Sequence, residues 1–128
     1  MGIRYQLLIA FSLLMLVSFT ACKKEAEAPP QVAITQPVSG STVAHTSTIQ
    51  IVGTADAIVK LSTVKIQVKQ VSDGSILYTK DLSPNGAKHF DVNESYDPSA
   101  LSNVAVTIGI VATTAAGETG ANALVQIN

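Results

Sequence analysis

The chain has 128 residues, of which 47% are hydrophobic and only 13% charged, with a formal net charge of −1 at pH 7. This balance, with Arg4 as the only arginine, leaves no basic stripe for nucleic acid. A single Cys excludes an intrachain disulfide and a cysteine-built metal site.

Arg4 precedes an apolar run from Leu7 to Val17 that only Ser12 interrupts, and Lys23, Lys24 and Glu25 end it. This is the layout of an export signal, and the run is shorter than the roughly 20 residues a spanning helix needs. An ordinary cut after Ala21 requires small residues in an A-x-A pattern, whereas Phe19 occupies the outer position. The alternative pair, Ala26 and Ala28, lies beyond three charged residues and would leave Pro29 at the new terminus.

The stretch Phe19-Thr20-Ala21-Cys22 resembles the lipobox of bacterial lipoproteins, with Phe in place of the commonest Leu. The resemblance implies that residues 1–21 are a lipoprotein signal peptide and that Cys22 becomes the first mature residue. Its sulfur would carry a diacylglycerol and its amine usually another acyl chain. Each buried methylene contributes about 0.8 kcal/mol, so such a residue would hold the chain on a membrane. The expected location is the cell envelope, lipid-anchored at the outer membrane on its periplasmic or surface face. Lys23-Lys24-Glu25 resembles a weak form of the charged tag that follows the lipidated Cys of some surface lipoproteins.

Residues 22–30 then read as the lipidated Cys and a flexible linker closed by Pro29-Pro30, reaching about 30 Å at most. The mature chain keeps seven lysines against nine acids, a net charge of about −2. Residues 31–128 supply one domain's worth of chain and a single modest core.

Period-two alternation dominates this domain. Val32 and Ile34 mark a first strand, ended by the turn residues Pro37 to Ser41. Ile49 and Ile51 mark a second, running into Gly53. Val64, Ile66 and Val68 alternate with Lys65, Gln67 and Lys69, predicting a third strand with one dry and one wet face. Ser72-Asp73-Gly74-Ser75 predicts a hairpin turn, with Ile76 to Lys80 as the returning strand. Phe90 and Val92 point inward from a fifth strand, and Asp97-Pro98 begins a tight turn or short 3₁₀ segment. Val104 to Ala112 is apolar on both faces and is expected to be the most central strand, and Ala123, Val125 and Ile127 mark the last. About seven short strands, with turns every 8 to 12 residues or so, predict an all-β antiparallel two-sheet sandwich.

Four stretches, Val32 to Pro37, Gly40 to Val43, Val52 to Asp56 and Val111 to Glu118, resemble recurring phrases of bacterial immunoglobulin-like domains. The resemblance covers nearly all of residues 31–128 and implies an Ig-like, fibronectin-III-like sandwich. Members of that family often carry Asp-x-x-Gly-Asn before the last hairpin, where cadherin-like modules place calcium ligands. Here Thr114 and Glu118 replace the Asp and the Asn, which argues against calcium, and the antibody-type Cys pair and core Trp are absent.

Candidate chemistry is sparse. His45 and His89 are the only imidazoles, and no H-x-x-x-H pattern or second Cys accompanies them. No G-x-S-x-G elbow or phosphate-cradling loop is present. Asp91, Glu94 and Asp97 form the densest acidic group and read as a wet strand face running into a turn. Tyr78, Phe90 and Tyr96 are the only aromatics after Cys22, which argues against a carbohydrate platform.

These features lead to an expected non-enzymatic, membrane-anchored binding or structural module without a cofactor. Its partners would be the membrane, through the lipid on Cys22, and an envelope or surface protein. The usual arrangement of the Ig-like family that the chain resembles, with the tether at one end, implies that the loops around Ser39, His45, Asp73, Asp97 and Ser99 point away from the membrane and contact that protein. The alternative is a small metal- or ligand-binding protein, or a minor enzyme, using His45, His89 and nearby acids.

Overall fold

A computed structural model describes residues 28–128, so Cys22 and the segment before it lie outside the described residues. Eight strands follow one another: β1 Gln31–Gln36, β2 Ser41–Val43, β3 Ile49–Asp56, β4 Thr63–Gln70, β5 Ile76–Leu82, β6 His89–Tyr96, β7 Val104–Thr114 and β8 Gly117–Ile127. They form a three-stranded sheet in the order β1-β3-β6 and a five-stranded sheet in the order β2-β8-β7-β4-β5. The architecture is all-β and sandwich-like, with no helix among the described residues.

The alternating pattern sets which face of each strand is dry. In β3 Ile49, Ile51, Gly53 and Ala55 are buried, and in β4 Val64, Ile66 and Val68 are fully so, while the residues alternating with them face outward. Strand β7 lies in the middle of the five-stranded sheet, between β8 and β4, and brings Val106, Ile108, Ile110 and Ala112 into the core. Val125 and Ile127 of β8 and Val92 of β6 complete the buried set. Each such side chain contributes about 1.5–3 kcal/mol by leaving water, and this holds the two layers together. Phe90, read from the sequence as inward, is half-buried and packs against the margin of this core.

Two features differ from the sequence reading. The structure has an eighth strand, β2, which starts at Ser41, the last residue of the stretch read as a turn, and it pairs in parallel with β8 through Ser41↔Val125 and Val43↔Ile127. The sheet is therefore not wholly antiparallel. Three residues are too few to display an alternation, and a parallel pair has no hairpin turn to announce it. Pro30 is fully buried, so the packed domain starts just ahead of β1 and the proline pair belongs partly to it.

The sandwich is closed along one side by its margin strands. Tyr78 of β5 and Tyr96 of β6 stack with ring centroids 5.2 Å apart, and Lys80 Nζ donates to Glu94 Oε2 at 2.7 Å. Lys80 and Glu94 both point toward the interior side of their margin strands. Inward-pointing charge at a sheet edge discourages another strand from adding there.

Strand register defines two poles. Gln31 pairs with Asp56, and Asp56 with His89, so the chain enters the domain at the end of β3 and the start of β6. Pro29 lies beside Gly117, which places the β7–β8 hairpin at this near pole. At the far pole Ile49 meets Tyr96, Val104 meets Ile127, and Lys69 meets Ile76.

Candidate functional site

The five loop residues singled out from the sequence all lie toward the far pole. Asp73 sits in the β4–β5 turn, where its Oδ1 accepts from Ser75 N at 3.0 Å and Ser75 Oγ at 2.8 Å. These bonds, the backbone one foremost, hold its carboxyl below the usual carboxylate range. Gly74 follows with φ of 72°, a left-handed conformation that a glycine adopts without strain. Asp97 Oδ1 accepts from Ser99 N at 3.0 Å, and Leu101 N reaches Pro98 O at 2.8 Å, so the segment is a turn rather than a 3₁₀ helix. His45 uses its backbone N–H and Nδ1 on Asn128 O, both at 2.8 Å. Ser39 Oγ accepts from Leu124 N at 3.1 Å, and Gly40 N donates to Leu124 O at 2.7 Å, extending the contact of β2 with β8 backwards.

Their polar groups therefore shape loops. Among these polar loops the far half also exposes four large apolar side chains, Val38, Val71, Ile76 and Leu124. The sequence reading passed over these four. Leu124 could have been found, because Ala123-Leu124-Val125 is a continuous apolar run in a period-two strand and one member must face water. Val38 and Val71 adjoin turns and carry no such signal.

His89 lies at the opposite pole from His45, on the outer face of the three-stranded sheet. Its Nδ1 meets Asp56 Oδ1 at 2.5 Å across the β3–β6 pair and its Nε2 meets Asp91 Oδ1 at 3.0 Å. Asp56 first, and Asp91 second, raise the imidazole above its ordinary value. Two carboxylates on opposite ring nitrogens favour the imidazolium form. They leave no free nitrogen for a base and cannot converge on one ion. Among the described residues no group of three or more His, Cys, Asp or Glu is arranged to hold a metal.

The acidic group read from the sequence divides in the same way. Asp91 faces outward to His89, Glu94 turns to Lys80 at the sheet margin, and Asp97 lies in its turn. At the β7–β8 hairpin Thr114 is buried and its hydroxyl accepts from Ala116 N at 3.1 Å, so it serves the turn.

The outer face of the five-stranded sheet carries two open depressions of 130 and 320 Å³ that share Gln67, Val111 and Glu118. The larger has Gly109 and Gly120 in its floor and Asn122 lying across Gly109. No His lines either depression, and neither encloses a reactive group.

No known protein family and no curated protein matches the chain. Among solved structures it is similar to part of an engineered protein seen in a 1.98 Å crystal structure, with 28% sequence identity and a TM-score of 0.56. The similarity covers 80% of this chain and 21% of that one, so the chain corresponds to a small part of a larger protein.

Proposed function

We propose that the chain is a lipid-anchored envelope protein whose single immunoglobulin-like domain binds another protein and performs no catalysis. The Ig-like type is supported by the facing strand orders β1-β3-β6 and β2-β8-β7-β4-β5, with the chain crossing between sheets as in that fold. The lipid anchor is supported by Phe19-Thr20-Ala21-Cys22 after an apolar leader.

One observation carries the binding reading. The chain enters at the near pole, while four of the five exposed large hydrophobics among the described residues, Val38, Val71, Ile76 and Leu124, lie toward the far one. A tether at one end and apolar side chains toward the other suit capture of a protein away from the membrane, since apolar exposure marks contact surfaces when it is grouped.

In-cell crosslinking of the native protein and of Cys22→Ser, with mass spectrometry of the protein and of whatever it captures, tests both halves. The expected result is an acylated Cys22 and a recurrent envelope protein bound only by the acylated form. An unmodified Cys22 would remove the anchor. An acylated protein that captures nothing would remove the binding role.

A further inference from the structure

The fifth exposed hydrophobic, Ile58, stands apart from the others: it is 62% exposed and lies at the near pole, in the loop between β3 and β4. That loop is held in place. Ala57 packs against the core and Leu61 is buried, so the residues between them are pushed outward. Ala57 N donates to Lys88 O at 2.8 Å and Leu61 N to Ala87 O at 2.9 Å, joining the loop to the segment before β6. Ile58, Lys60 and Lys88 therefore lie on adjoining segments of the near pole, and all three are exposed.

The charges around this surface are unequally engaged. Asp56 and Asp91 share the one His89, Asp81 faces Lys65 at 3.6 Å, and Glu118 keeps its charge while accepting from the Thr113 hydroxyl at 3.3 Å. Lys60 and Lys88 have no carboxylate within ion-pair distance among the described residues. Two lysines, unpaired among the described residues, and an outward isoleucine stand on this part of the pole.

Chain length then selects what this surface meets. Cys22 is six residues from Ala28, which gives a reach of about 20 Å at most when extended. If Cys22 is in the bilayer, the pole carrying Pro29 cannot leave its vicinity. We infer that the near pole is a membrane-contact surface, with Ile58 entering the headgroup layer and Lys60 and Lys88 binding the phosphates of anionic lipids. This rests on the lipid anchor proposed for Cys22. Docking would add an electrostatic and apolar contact to the acyl chains and would orient the domain instead of leaving it free on its linker.

The test uses the full acylated chain in lipid nanodiscs containing gadolinium-chelating headgroups, with either zwitterionic lipid alone or added phosphatidylglycerol. Acylation of Cys22 is checked by mass on the same sample. The amide signals of Ile58, Lys60 and Lys88 are expected to broaden more than those of Ser72 and Gly74, and the excess is expected to grow when anionic lipid is added. Lys60→Gln and Lys88→Gln should each lower the docked-to-free ratio roughly fivefold, the effect of one lysine near an anionic surface. Ile58→Ser should lower it in both lipids. All three side chains are exposed, so the variants keep the dispersed spectrum of the folded chain, which serves as the control.

Equal broadening in the two lipids, or broadening indifferent to the three substitutions, would mean that the tether alone sets the proximity and would overturn the docking. An unmodified Cys22 is a separate result that would overturn the anchor and the docking with it.

Discussion

A Cβ placed on Gly53 would collide with the carbonyl oxygen of Ala33 and come within 2.6 Å of Ile110 Cδ1. The missing side chain is what lets β1 and the opposite sheet both close on the inner face of β3. Gly53→Ala is therefore expected to cost about 1–3 kcal/mol or more, the range for overpacking a tight core. Urea unfolding would check this, and a change below half of that range would mean that β1 can withdraw without penalty. The ion cluster around His89 works through charge instead. Its folded-state pKa is raised above the unfolded value of about 6.5, so its contribution is fully present below that pH. The contribution is then lost as pH rises through the folded pKa. Against His89→Gln, the native protein should lose melting temperature across that window; parallel curves for the two would mean that the cluster contributes nothing. The cluster was not legible in the sequence because Asp56 and His89 are 33 residues apart and meet only through the β3–β6 register.

At the scale of the element, strand β4 shows why most of the fold could be read. Val64, Ile66 and Val68 are completely buried and Lys65, Gln67 and Lys69 alternate with them, so a strict period of two fixed both the strand and its orientation. Ile66→Asp should unfold the domain, because an unpaired carboxylate in this core costs several kcal/mol. Lys65→Asp loses the exposed pair with Asp81 and sets a like charge opposite it, and on this solvated face should cost about 1–2 kcal/mol, far less than Ile66→Asp. Circular dichroism melts of the two variants would distinguish them, and equal losses would mean a register shifted by one residue. Strand β7 was legible as central for a related reason: it is apolar on both faces and has neighbours on both sides. Strand β2 was not, since its place depends on distant Val125 and Ile127. The Lys80–Glu94 and Tyr78–Tyr96 contacts were equally hidden, because they join margin strands of different sheets.

For the whole molecule the decisive property is that hairpins alternate between two ends. The far-pole grouping of Ser39, His45, Asp73, Asp97 and Ser99 was expected from the usual Ig arrangement, whereas nothing marked the exposed apolar residues beside them as a group. Substitutions that add charge or bulk at these far loops should impair capture of a protein partner more than changes at Asp56, Asn85 or Glu118, which lie at the near pole. Crosslinking yield measures the difference, and the reverse ranking would place the contact at the wrong end. The parallel pairing of β2 with β8, and the antiparallel pairing of β1 with β3, both run lengthwise between the poles. A pull between residue 31 and a partner held at the far loops would therefore act along the strands. It would load the hydrogen bonds of these ladders in shear, all together, rather than peel them one at a time.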